Sequence, residues 1–178
     1  MREKTITIFG TGRTRPGDSA YTLAYRVGEL LAQAGFTIAN GGYGGTMLAA
    51  AEGAARVGGQ VVGVTCSAFK RSSANQYITR KIVTHSLNER LDTLIRLGQG
   101  YVVLPGGTGT LLELAKVWEL KNKGFLQEDK PIILVGGFWK PMADAILKDD
   151  ADSGRHIQVA AGPDEVKDIL VRIFDGFS

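Results

Sequence analysis

Tyr101-Val102-Val103-Leu104-Pro105-Gly106-Gly107-Thr108-Gly109-Thr110-Leu111-Leu112-Glu113 passes from a short apolar run, through a proline and three glycines, into residues of helical spacing. The apolar run reads as a strand buried on both faces of a parallel sheet. Pro105 ends it, and Gly106, Gly107 and Gly109 let the backbone turn sharply and approach a ligand without Cβ clashes. Leu111, Leu112, Leu114, Ala115, Val117, Trp118 and Leu120 then recur at helical spacing, so a helix starts between Thr108 and Thr110. Its first amides lack intrahelical acceptors and its dipole adds positive charge, which makes the turn a cradle for an anion such as phosphate. Glu113 falls about 5 Å along the axis from that start, at roughly 1.5 Å per residue. Two readings of it stand open here: a carboxylate balancing the helix dipole, or a chemical group beside the bound anion.

The same strand, glycine turn and helix sequence recurs along the chain. Strands are expected at residues 5–9, 36–39, 61–64, 101–104, 132–135 and 157–159, with a short extra one at 82–83. Helices are expected from 18 or 19 to 34, then at 47–57, 87–98, from 108–110 to 124, and at 141–148 and 164–174. The alanine-rich second helix implies close helix packing. Unbroken alternation specifies an α/β, Rossmann-like doubly wound fold with a mostly parallel sheet and helices on both faces, built as a single domain over residues 1–178. Ligands of such sheets bind outside the carboxyl ends of the strands. Three glycine-rich turns, at 10–17, 41–45 and 106–109, lie at those ends. They place Gly10, Gly12, Gly42, Gly44, Gly45, Thr46, Gly106, Gly107, Thr108, Gly109 and Thr110 around one phosphorylated ligand.

Composition narrows the function. Apolar content of 44% and a net charge of +3 fit a globular protein with a small anionic ligand; basic residues form no dense run with aromatics between them, which disfavours nucleic acid. No stretch has the apolar length of a membrane span and no leader pattern precedes the first strand, so the expected location is the cytoplasm. Cys66 is the only cysteine, and His85 and His156 form no metal-binding pair; no metal is expected. The first turn carries Arg15 where a dinucleotide fingerprint needs its third glycine, and no turn has the spacing or lysine of a P-loop. Arg13 and Arg15 could reach a ligand from the first turn, Lys70 and Arg71 sit in a polar loop, and Asn75 is a candidate near the ligand's far end. Trp118 and Trp139 read as core or interface residues.

Pro105-Gly106-Gly107-Thr108-Gly109-Thr110-Leu111-Leu112-Glu113 resembles the P-G-G-x-G-T-x-x-E signature of the LOG family, once labelled possible lysine decarboxylases. Asn88-Glu89-Arg90 stands where that family carries H-E-R-K, with Asn88 and Leu91 replacing its histidine and lysine. The turn at 41–46 is similar to its other glycine-rich loop, one residue shorter than in the plant enzymes. The resemblance implies a homodimer, or a higher homo-oligomer, that hydrolyses the N-glycosidic bond of a nucleoside 5′-monophosphate to free base and ribose 5-phosphate. No cofactor is implied, and Glu113 and Arg90 occupy the family's catalytic positions. Glu89 would support Arg90. The competing expectation is a non-catalytic carrier of a nucleotide or of molybdenum cofactor, a phosphorylated pterin, on the same fold. A DNA-processing module of related type is a third.

Overall fold

The computed structural model describes residues 4–69 and 73–175; Lys70 and Arg71 of the polar loop lie outside the described residues. Among the described residues seven strands form one sheet: β1 (Thr5–Phe9), β2 (Thr37–Asn40), β3 (Val61–Cys66), β4 (Arg80–Thr84), β5 (Gly100–Val103), β6 (Ile132–Val135) and β7 (Ile157–Ala160). Their order is β4-β3-β2-β1-β5-β6-β7, and every pairing is parallel. The expected sheet is therefore parallel throughout.

Among the described residues there are six α-helices, the first five between strands and the last after β7: α1 (Ser19–Gln33), α2 (Thr46–Arg56), α3 (Leu87–Leu97), α4 (Thr108–Asn122), α5 (Lys140–Leu147) and α6 (Pro163–Asp175). Strand alternation divides the core between the two faces. Val102, Leu104, Ile133 and Val135 pack with residues of α1, α2 and α6, whereas Tyr101, Val103, Ile132 and Leu134 pack with residues of α3, α4 and α5. Burial on both faces explains why β5 and β6 read as continuous apolar runs. The small residues of α2 allow the expected close approach: a Cβ on Gly28 of α1 would collide with the Ala50 carbonyl, and one on Gly53 with that of Tyr25.

Two elements depart from the sequence expectation. β4 covers five residues, not two, because only its Ile82 side is packed and an exposed edge strand shows little apolar signal. A 3-10 helix at Ala151–His156 precedes β7, without periodicity to announce it.

Candidate functional site

The strand order reverses between β1 and β5, and the crevice there is where ligands of open α/β sheets bind. The turns after β1 and β5 meet at this point around a cavity of about 730 Å³. Gly10, Gly12 and Arg13 border it from the first turn; Gly107, Thr108, Gly109 and Thr110 border it from the start of α4. Arg90 and Glu113 complete the group of expected residues brought to the same cavity. Thr11, Tyr43, Met47, Phe69 and Leu87 also line it, and sequence reading gave none of them a role.

The α4 entry is held on both sides. Leu104 donates its N–H to the Phe9 carbonyl at 2.9 Å, and its own carbonyl accepts from the Trp139 indole at 3.0 Å. Trp139 is buried and so braces the glycine turn from beneath. Gly106 lies behind the cavity wall, where a Cβ would collide with the Thr110 hydroxyl. Thr108 and Gly109 are exposed at the first turn of α4, whose leading amides have no intrahelical acceptors.

The second glycine turn stands behind the cavity. Gly42 and Gly45 have φ of 75° and 65°, which favours glycine. Their missing Cβ atoms also admit neighbours: one on Gly42 would press on Gly63 and Thr65, and one on Gly45 would collide with Thr11 and Gly12. Thr46 donates both its amide and its hydroxyl to the Thr11 carbonyl, at 2.8 and 3.0 Å. Gly42, Gly44, Gly45 and Thr46 thus do not border the cavity, and Thr46 braces the turn that does. Asn75 does not border it either. Its amide group and backbone N–H hold the Tyr43 and Gly42 carbonyls at 2.9 and 2.8 Å.

Arg90 sits in the first turn of α3, which starts with a reciprocal cap: Ser86 Oγ accepts from the Glu89 amide, and the Glu89 carboxylate accepts from the His85 amide. Glu89 therefore supports Arg90 by fixing the turn that carries it. The Arg90 side chain is buried, its Nε donates to the Val64 carbonyl at 2.9 Å, and its guanidinium fills the space that a Cβ on Gly41 would occupy. Its Nη1 lies 3.8 Å from Glu113 Oε1. Burial pushes the Glu113 carboxyl up to about 7, against the opposing pull of the Arg90 charge. A carboxyl with that pKa exchanges protons near neutral pH, as a general acid or base must.

Arg15 donates its backbone N–H to Asp18 and does not border the cavity. Trp118 is a core residue whose indole donates to the Ser153 carbonyl. Among the described residues no group of three or more His, Cys, Asp or Glu side chains is placed to hold a metal, and no helix is long and apolar enough to cross a membrane.

Fold and site together define a Rossmann-like α/β protein with an anion-receptive cleft and a neutral-range carboxyl beside it. The chain belongs to the SLOG cluster4 family, whose profile matches residues 3–166. The LOG-type resemblance carried by the Pro105 to Glu113 signature is thereby borne out. Over 137 residues, 77% of this chain and 87% of the relative, it is 32% identical to an uncharacterized protein of Archaeoglobus fulgidus. It is 37% identical over 116 residues to the cytokinin riboside 5′-monophosphate phosphoribohydrolase of Mycobacterium tuberculosis, a match spanning 64% of this chain and 60% of that protein. In fold it is similar to the molybdenum cofactor binding protein of Rippkaea orientalis, with a TM-score of 0.80 at 24% identity over 98% of this chain and 99% of that one.

Proposed function

We propose that this protein hydrolyses the N-glycosidic bond of a nucleoside 5′-monophosphate, releasing the base and ribose 5-phosphate. The observation that carries the reading is the position of Glu113: a carboxyl with a pKa near 7 faces the same cavity as the free amides of the α4 start. The phosphate is held by Gly107, Thr108, Gly109 and Thr110, with the turn from Gly10 to Arg13 closing on it and Arg13 adding charge. Thr46 acts one step back, by holding Thr11, and Gly45 leaves room for that contact. Anchoring the phosphate fixes the ribose against Glu113.

Cleavage develops positive charge at C1′, which the Glu113 carboxylate stabilises while orienting water for attack. Water gives hydroxide to C1′ as the C1′–N bond breaks, Glu113 takes the proton that water loses, and that proton then passes to the nitrogen of the departing base, which returns Glu113 to its carboxylate form. Arg90 keeps part of Glu113 ionised at neutral pH and offers its remaining N–H groups to the ligand's anionic end. The phosphoribohydrolase name of the Mycobacterium tuberculosis relative supports this reaction class.

The test is incubation with a panel of nucleoside monophosphates, with ribose 5-phosphate as the readout. Release by the wild type and its loss in Glu113→Gln supports the reading. Tight binding of a nucleotide or phosphorylated pterin without turnover would instead make the chain a carrier, the role suggested by the fold it shares with the Rippkaea orientalis protein.

A further inference from the structure

The ion pair with Glu113 does not by itself fix where Arg90 points. At 3.8 Å it exceeds hydrogen-bonding distance, and among the described residues Nη2 meets the Met47 sulfur at 4.0 Å. The guanidinium is instead enclosed by aromatic rings: its central carbon lies 5.5 Å from the Tyr43 ring centroid and 5.6 Å from that of Phe69. Tyr43 is the tethered member. Its hydroxyl oxygen accepts the Cys66 amide at 2.6 Å and lies 3.3 Å from the Cys66 carbonyl, to which it donates. Cys66 is two residues past Val64, the acceptor for Arg90 Nε, so the end of β3 holds both the ring and the base of the guanidinium. Asn75 fixes the other end of Tyr43 by donating to its carbonyl. A cation over the face of a partly desolvated ring is attracted by the ring quadrupole, and here the ring is anchored by β3 and Asn75 while the guanidinium is tied at its Nε, with its Nη end left to be aligned by the ring.

We propose that Tyr43 is a positioning residue for the catalytic pair: it clamps Arg90 into line with Glu113, and Asn75 anchors the clamp. The Tyr43 hydroxyl is committed to Cys66, and its contact with the pair is the ring over the guanidinium. The role rests on the hydrolase reading for its consequence in catalysis, but the clamp itself acts in the ligand-free protein. Among the described residues the charged side chains bordering the cavity are Arg13, Arg90 and Glu113. When the Nη end of Arg90 turns away about its Nε anchor, Glu113 loses part of the positive charge that draws its pKa down.

Carboxyl-carbon NMR of protein labelled at glutamate, with Glu113→Gln identifying the resonance, follows Glu113 through its titration without any substrate. Tyr43→Leu is expected to move the Glu113 midpoint upward by about half a pH unit or more, given the usual effect of an opposite charge at this range. Tyr43→Phe keeps the ring and should move it less. Asn75→Ala, remote from the pair, should move it in the same direction as Tyr43→Leu and provides the test should that variant fail to fold. In the hydrolase assay Tyr43→Leu should lower kcat about tenfold and carry the acid limb of the pH profile upward with the NMR midpoint. A Glu113 titration unchanged in folded Tyr43→Leu, or in folded Asn75→Ala if the former does not fold, overturns the clamp. Absence of turnover in the wild type overturns the hydrolase reading while leaving the NMR result to decide the clamp.

Discussion

Glu113 and Arg90 face each other across 3.8 Å, a separation at which opposite charges attract but share no hydrogen bond. The carboxyl is consequently pulled two ways. Burial favours its neutral form, the guanidinium favours its charged form, and burial prevails by enough to bring the group to about 7.

Glu113→Gln keeps the size and burial of the side chain but can neither carry the charge nor take the proton. Turnover should fall at least about 100-fold, the usual scale for a lost general base, while affinity for ribose 5-phosphate changes little. Single-turnover kinetics and calorimetric binding separate the two. Loss of binding in step with activity would mark Glu113 as a ligand contact only.

The rate should rise with pH through about 7 as Glu113 ionises, and stability should move the opposite way. Folded Glu113 binds its proton more tightly than an unfolded carboxyl with a value of 4.5, so its contribution is fully present below about pH 4.5 and is lost as pH climbs toward 7. The loss amounts to about 3 kcal/mol, at roughly 1.4 kcal/mol per pH unit. Urea denaturation of wild type and Glu113→Gln across this window should show the difference closing at low pH and the variant gaining on the wild type above it. Parallel curves would show that Glu113 titrates normally.

Gly41→Ala and Gly28→Ala should separate function from stability. At Gly41 the new methyl meets the tip of the flexible Arg90 side chain and the Met47 sulfur, which can yield. Turnover should drop sharply with a small change in Tm. At Gly28 the methyl meets the Ala50 backbone in the α1–α2 contact, which cannot yield without parting the helices. That variant should lose about 1–3 kcal/mol, the scale of overpacking, with the cavity left intact. Equal Tm losses in the two would contradict the distinction.

Trp139→Phe removes the donor to the buried Leu104 carbonyl and should cost about 1–3 kcal/mol, the penalty of an orphaned buried acceptor. Because that carbonyl precedes the Pro105-Gly106-Gly107 turn, phosphate affinity should weaken as well. Melting curves with and without ribose 5-phosphate measure both effects; an unchanged ligand-induced shift would confine Trp139 to the core.

Much of this was legible in the chain. β1 and β6 fall on the residues read from alternation and apolar runs, and α4 begins at Thr108 as the change of period requires. β3 runs on to Cys66 beyond the apolar stretch because its pairing with β4 continues. The walls of Arg90 were hidden for a different reason. Tyr43 and Phe69 come from separate turns, and nothing local to either says that it faces a residue of α3. Glycines carry a similar ambiguity: Gly41 makes room for a guanidinium and Gly45 for a carbonyl, but a glycine needed by a neighbour and one needed by a ligand are spelled alike.

The two donations from Thr46 occupy the Thr11 carbonyl oxygen with an amide and a hydroxyl together. A carbonyl has two lone-pair sites, and both are engaged. The Thr11 carbonyl is thereby closed to an incoming hydroxyl, while the leading amides of α4 remain on offer across the opening. At that one point of the wall polarity of hydrogen bonding adds to charge: a group that accepts hydrogen bonds meets free amides across the opening, and a group that donates them meets a carbonyl already taken.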